Sequence, residues 1–129
     1  MVSSKSLLLF GLGLFAGVQA CIVVDGMVSD GLSTQFEVDL TDDGTKTCTF
    51  TCSGAIDDCT GDCNHGYSAK AKTGYDFNTG GPLVIDYSTP HGDYSVSVEN
   101  TSHDCMNCCG GTIPCTCCQN KYGGSFFGC

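Results

Sequence analysis

The sequence predicts a mainly β fold: a small disulfide-rich antiparallel β-sandwich or barrel with an irregular cysteine-rich C-terminal strap. Three observations carry this. Several short runs alternate apolar and polar residues with a period of two. Glycine- and aspartate-bearing turns separate them. Twelve cysteines accompany a modest aliphatic content and no tryptophan, so covalent staples supplement a core of limited size.

Residues 1–20, MVSSKSLLLFGLGLFAGVQA, read as a signal peptide. A short polar start carries Lys5, an apolar stretch runs from Leu7 to Val18, and small side chains follow at Val18 and Ala20. Cleavage is expected before Cys21. The apolar run is shorter than the ~20 residues that cross a bilayer, and no other stretch suits a transmembrane segment. A cysteine directly after the cleavage point also suits lipid attachment in bacterial lipoproteins, but Gln19 does not suit such a site. The expectation is a secreted, extracellular protein with one domain over residues 21–129, monomeric, with the sheet ending at residue 102 and the strap covering 103–129.

Ile22 to Val24 is expected as an edge strand. Gln35 to Leu40 places Phe36, Val38 and Leu40 on one side and Gln35, Glu37 and Asp39 on the other, the pattern of a half-buried strand. Thr41 to Thr45 is a turn centred on Asp43-Gly44. Cys48, Phe50 and Cys52 then alternate with Thr47, Thr49 and Thr51, completing a β-hairpin. A helical turn is a candidate around Ala55 to Cys63. Tyr67 to Phe77 reads as a weaker strand, with Ala69, Ala71 and Thr73 on one side and Gly74 marking a bulge or bend. After a loop from Asn78 to Pro82, Leu83, Ile85 and Tyr87 alternate with Val84, Asp86 and Ser88. Ser88 to Asp93 turns the chain. Tyr94, Val96 and Val98 complete a second hairpin. From His103 onward, seven cysteines and two Gly-Gly pairs predict an irregular segment bonded to itself and to the sheet.

The twelve cysteines make up about 11% of residues 21–129, above the ~8–10% typical of disulfide scaffolds. A secretory route would oxidise them. Cys21, Cys48, Cys52, Cys59, Cys63, Cys105, Cys108, Cys109, Cys115, Cys117, Cys118 and Cys129 are all expected to pair, in a connectivity that spacing does not select. Cys48 and Cys52, four residues apart in a strand, lie ~13 Å apart, beyond the ~7 Å a disulfide tolerates. Each therefore needs another partner. The adjacent pairs Cys108–Cys109 and Cys117–Cys118 are each expected to send their members to different partners, tying three segments together at each point.

Cys59 and Cys63 share one face of a helical turn, and Cys115 and Cys117 share one face of a strand. This pairing of patterns resembles the helix–strand crosslink of cysteine-stabilised αβ peptides such as defensins, and the resemblance implies bridges between those two segments.

Charge excludes several partner classes. Beyond the signal segment there are four lysines, no arginine and fourteen carboxylates, a net charge of about −10. Nucleic acid is excluded as a partner because phosphate contacts draw on Lys and Arg. Anionic membrane surfaces are disfavoured for the same reason.

No catalytic residue is assigned. His65, His91 and His103 lie outside nucleophile motifs, and G-x-S-x-G is absent. No cofactor is expected and no metal ligand is assigned: Cys105 to Cys118 has the look of a thiolate cluster with His103 beside it, but oxidation in the secretory route argues for disulfides. Asp57 to Asn64 lacks the spacing of an EF-hand loop and reads as a solvated loop held by Cys59 and Cys63. Asn100-Thr101-Ser102 is an N-glycosylation sequon, expected at a surface turn, with Asn100 as acceptor. Phe126-Phe127 is expected to cover the sheet edge.

A secretory leader, about a hundred further residues and dense cysteines resemble the small secreted cysteine-rich proteins of filamentous fungi. That resemblance is one of class and implies an effector-like, non-catalytic interaction protein that binds an extracellular or cell-surface partner. A secreted toxin or antimicrobial protein, and a thiolate metal-binding protein, are the alternatives.

Overall fold

The computed structural model describes residues 20–31, 33–54, 58–72, 80–111 and 115–129. The expected signal segment before Ala20 and the expected bend at Gly74 lie outside the described residues. Among the described residues ten strands form two antiparallel sheets: β1 (Ile22–Asp30), β2 (Thr34–Asp42), β3 (Thr45–Gly54), β4 (Asp58–Thr60), β5 (Asp62–Cys63), β6 (Ser68–Lys72), β7 (Leu83–Thr89), β8 (Gly92–Val98), β9 (Asn100–Asn107) and β10 (Thr116–Phe126). The larger sheet runs β5-β3-β2-β1-β10-β9 and the smaller β4-β6-β7-β8. Alternate residues of both sheets meet in one core, with Ile22, Val24, Phe36, Leu40 and Phe50 from one and Ala71, Ile85, Tyr87 and Val98 from the other. The mainly β expectation holds, and the described residues contain no helix.

Both predicted hairpins form. Asp43 and Gly44 take positive φ values of 47° and 80°, the primed-turn geometry that matches strand twist. A register shift follows Leu40, which faces Cys48 while Thr41 faces Lys46. Thr47 is the extra residue. The bulge turns it inward beside Cys48, so both are buried and simple alternation fails there. In the second hairpin, Thr89 faces Gly92 across Pro90-His91, and Thr89 Oγ1 accepts the His91 N–H at 3.0 Å.

Four expectations need correction. Ile22 begins a nine-residue central strand, not an edge: β1 lies between β2 and β10. Val23 and Met27 on its outer face, and Gly26 on its inner face, blur the alternation. Gly26 has a steric reason, since a Cβ there would strike the Glu37 carbonyl and the Val38 backbone.

Residues 58–63 are not a helical turn or a solvated loop. Cys59 belongs to β4 in the smaller sheet and Cys63 to β5 at the edge of the larger. The chain changes sheets here, and Gly61, packed against the Phe50 ring, allows the crossing.

The segment after His103 is no irregular strap. Residues 100–107 and 116–126 are strands, and β10 is paired on both sides, with β1 over nine residues and with β9. Backbone pairing to β1 supplies the order that composition does not advertise. Finally, Asn100 sits not at a turn but at the first position of β9, half-buried.

Candidate functional site

Every cysteine is bonded: Cys21–Cys129, Cys48–Cys63, Cys52–Cys59, Cys105–Cys118, Cys108–Cys117 and Cys109–Cys115. Cys48 and Cys52 avoid each other, as their spacing requires. The defensin-like pairing is absent, because Cys59 and Cys63 return to β3 while Cys115 and Cys117 bond within their own hairpin. The members of each adjacent pair do take different partners. Those partners all lie in the β9–β10 hairpin, however, so three segments are not joined.

The bridges therefore fall into two groups. In the body, Cys21–Cys129 ties the residue before β1 to the segment after β10, Cys48–Cys63 ties β3 to β5, and Cys52–Cys59 staples one sheet to the other. At the tip, three bridges with sequence separations of 13, 9 and 6 lie within one hairpin.

The outer face of the larger sheet carries the first candidate site. It is a shallow depression of about 740 Å³. Asp25 and Met27 of β1, Glu37 and Asp39 of β2, Thr49 and Thr51 of β3 and Lys121 of β10 line it. Alternation puts these side chains outward while Phe36, Val38 and Phe50 point into the core. Gly123 faces Asp25 across the β1–β10 pairing, and its missing side chain hollows the face. Asp25 also stands directly opposite Asp39, a like-charge juxtaposition that costs stability.

Lys46 offsets that repulsion with an ion pair to Asp39 Oδ2 at 2.8 Å, and Thr49 Oγ1 donates to Asp39 Oδ1 at 2.8 Å. Partial burial raises the Asp39 pKa, but the bonds from Lys46 and Thr49 outweigh it and hold the carboxyl below its usual value. Two other lysines are similarly committed, Lys70 to Asp58 and Lys72 to Asp86. The cationic charge is thus largely spent within the protein, and the free surface charge is negative.

The tip carries the second candidate. Cys105 faces Cys118, and His103 faces Asn120 one rung further in. Asn120 is fully buried, and its Oδ1 lies 2.5 Å from His103 Nδ1. The other ring nitrogen, Nε2, lies 3.3 Å from Cys105 Sγ. Gly80 closes over this ladder with φ 59°: a Cβ there would lie 2.5 Å from Asn100 Nδ2, 2.6 Å from Asn120 Oδ1 and 3.1 Å from His103 Nδ1. Asn100, the sequon residue, thus turns its amide toward Gly80.

The remaining histidines are elsewhere, His65 in the turn before β6 and His91 between β7 and β8. The tail aromatics divide. Phe126 packs on the core, whereas Phe127 is 38% exposed and leans on Tyr94 at a centroid distance of 5.1 Å.

One buried polar cluster escaped the sequence reading. Asp42 is 6% exposed, and its Oδ1 has no hydrogen-bond partner among the described residues. Burial and then the neighbouring Asp43 charge raise its pKa, against the opposing influence of His91 and Tyr87. The Tyr87 hydroxyl lies 2.7 Å from Thr47 Oγ1, and burial, only partly countered by that bond, raises its pKa to about 12. No signal in the sequence marks this cluster, because the bulge that turns Thr47 inward leaves no periodicity to read.

No protein-family model, no curated protein and no solved structure matches this chain.

Proposed function

We propose that the chain is a secreted, non-catalytic interaction protein, effector-like in role, that binds an extracellular or cell-surface protein through the outer face of its larger sheet. The observation that carries this reading is the hollowed polar face around Gly123, held on a sandwich whose two sheets are covalently joined and whose strands β1 and β10 are clamped by Cys21–Cys129. A rigid scaffold lowers the ordering cost of binding. The six disulfides suit the oxidising conditions outside the cell.

The test is capture from extracellular or cell-wall extracts with the immobilised protein. Replacing Met27 and Thr51, both outward-facing, with arginine is expected to abolish recovery of a partner that the unaltered protein retains. Recovery of nothing at any pH, or equal recovery by the arginine variant, counts against this face. Asn100 is the glycan acceptor in this reading, which requires its amide to turn away from Gly80 toward solvent, and a mass loss after N-glycosidase treatment of the secreted protein checks it.

A further inference from the structure

We propose that His103, Cys105 and Cys118 form a zinc(II) site that is masked by the Cys105–Cys118 disulfide and opened by a small dithiol. The inference goes beyond the interaction role and does not depend on it.

Three donors are already gathered. A ring nitrogen of His103 and the sulfurs of Cys105 and Cys118 all lie within 4.8 Å of one another. Their grouping follows from strand geometry, because His103 and Cys105 are two apart on one face of β9 and Cys118 is the cross-strand neighbour of Cys105. The 3.3 Å between Nε2 and Cys105 Sγ is close to the ~3.5 Å that separates two ligands of a tetrahedral zinc with Zn–N of ~2.0 Å and Zn–S of ~2.3 Å.

The ring is also oriented for the task. Ligating histidines characteristically donate their second ring N–H to a fixed acceptor, which sets the tautomer. With Asn120 Oδ1 accepting from Nδ1, Nε2 presents its lone pair to the sulfurs. Asn120 is itself fully buried, and Gly80 walls off the Nδ1 side. The second sulfur cluster, Cys108, Cys109 and Cys115, has no such nitrogen, and its sulfurs come from two disulfides. The histidine site needs only one bridge opened.

The chemistry balances. The dithiol supplies two electrons and two protons and leaves as a disulfide, while Cys105 and Cys118 become thiols. Zinc(II) then displaces both thiol protons. Two thiolates, neutral His103 and a water complete a tetrahedral site of zero net charge. Cys105 is exposed to the reagent and Cys118 is buried beneath it. Opening this one bridge leaves β9 in place, because its pairing with β10 and the bridges Cys108–Cys117 and Cys109–Cys115 remain, while β10 keeps its nine-residue pairing with β1.

The test uses the oxidised protein with all six disulfides formed. Limiting dithiol is added without oxygen, alkylation mapping identifies the opened bridge, and zinc is titrated against a chromophoric chelator with native mass spectrometry for stoichiometry. Expected are no zinc on the oxidised protein, one zinc after Cys105–Cys118 opens, and at least 10-fold weaker binding in His103→Ala, whose exposed side chain lies outside the core. If other tip bridges open as well, a variant with Cys108, Cys109, Cys115 and Cys117 all changed to Ser must still bind one zinc in a His103-dependent way. If that variant fails to fold, the unaltered protein reduced with excess dithiol must show the His103→Ala loss. Absence of zinc from the reduced protein, zinc on the oxidised form, or affinity indifferent to His103 overturns the proposal.

Discussion

The sandwich body and the β9–β10 tip both depend on three disulfides, but in different ways. In the body two of the three bridges, Cys48–Cys63 and Cys52–Cys59, reinforce a core that already exists, while Cys21–Cys129 clamps β1 to β10 at the surface. Cys48 and Cys59 are 1% and 0% exposed and pack among Phe50, Leu40 and Ala71. At the tip Cys105 and Cys108 are exposed, and Cys118 is the only bonded cysteine there that is buried. Burial rather than number decides what a disulfide does: a bridge within a core is protected and adds to packing, whereas a bridge at a strand end holds local shape and stays within reach of solvent.

The sharpest way to break this comparison is to remove the bridges singly. Loop-closure entropy grows with the chain enclosed. Cys21–Cys129, spanning 108 residues, is expected to contribute ~4–5 kcal/mol, and Cys109–Cys115, spanning 6, ~2 kcal/mol. Double alanine variants compared by chemical denaturation check this. Equal losses would show that the tip is integral to the cooperative unit.

A core truncation makes the complementary case. Phe50→Ala removes a fully buried ring packed edge-on against Phe36. It is expected to cost ~3–5 kcal/mol with all six bridges intact, as read by thermal melting and disulfide mapping. Mild reduction should act in the opposite place, exposing tip thiols and protease sites in residues 103–129 before Cys48 or Cys59 becomes reactive. Cleavage that starts in the body would reverse the division.

Asp42 offers a smaller effect confined to the body. Its folded pKa is raised, so its stabilising contribution is complete below the unfolded value of 3.8 and is lost as pH rises through the folded value. Asp42→Asn is therefore expected to gain about 1 kcal/mol at neutral pH, with the gain vanishing in acid. Melting curves across that range test the sign. For Tyr87 the same logic moves to alkali. Stability is retained below pH 10 and falls as pH approaches about 12, with tyrosinate absorbance and unfolding rising together.

Much of the body was legible in the sequence. Phe36, Val38 and Leu40, then Leu83, Ile85 and Tyr87, face the core while the residues between them face outward, and that asymmetry is written directly as alternation. Asp43-Gly44 announces its turn because few residues accept two consecutive positive φ values. β1 and β10 were much less visible. β1 holds apolar residues on both faces, and β10 reads TCCQNKYGGSF, whose inward Asn120 and paired glycines look like loop. The candidate outer face was not legible at all, since Asp25, Glu37, Thr51 and Lys121 come from four strands and meet only through register.

By itself, then, the sequence determined the class of fold, the two hairpins and the need for every cysteine to pair, because local periodicity, turn chemistry and composition are properties of neighbouring residues. Tertiary structure alone decided which cysteines meet, that the C-terminal segment becomes the inner strand β10, and that His103 lies beside Cys105 and Cys118 over Asn120. Those outcomes depend on strand order and register, which are set by how two sheets share one core and not by any short stretch of chain.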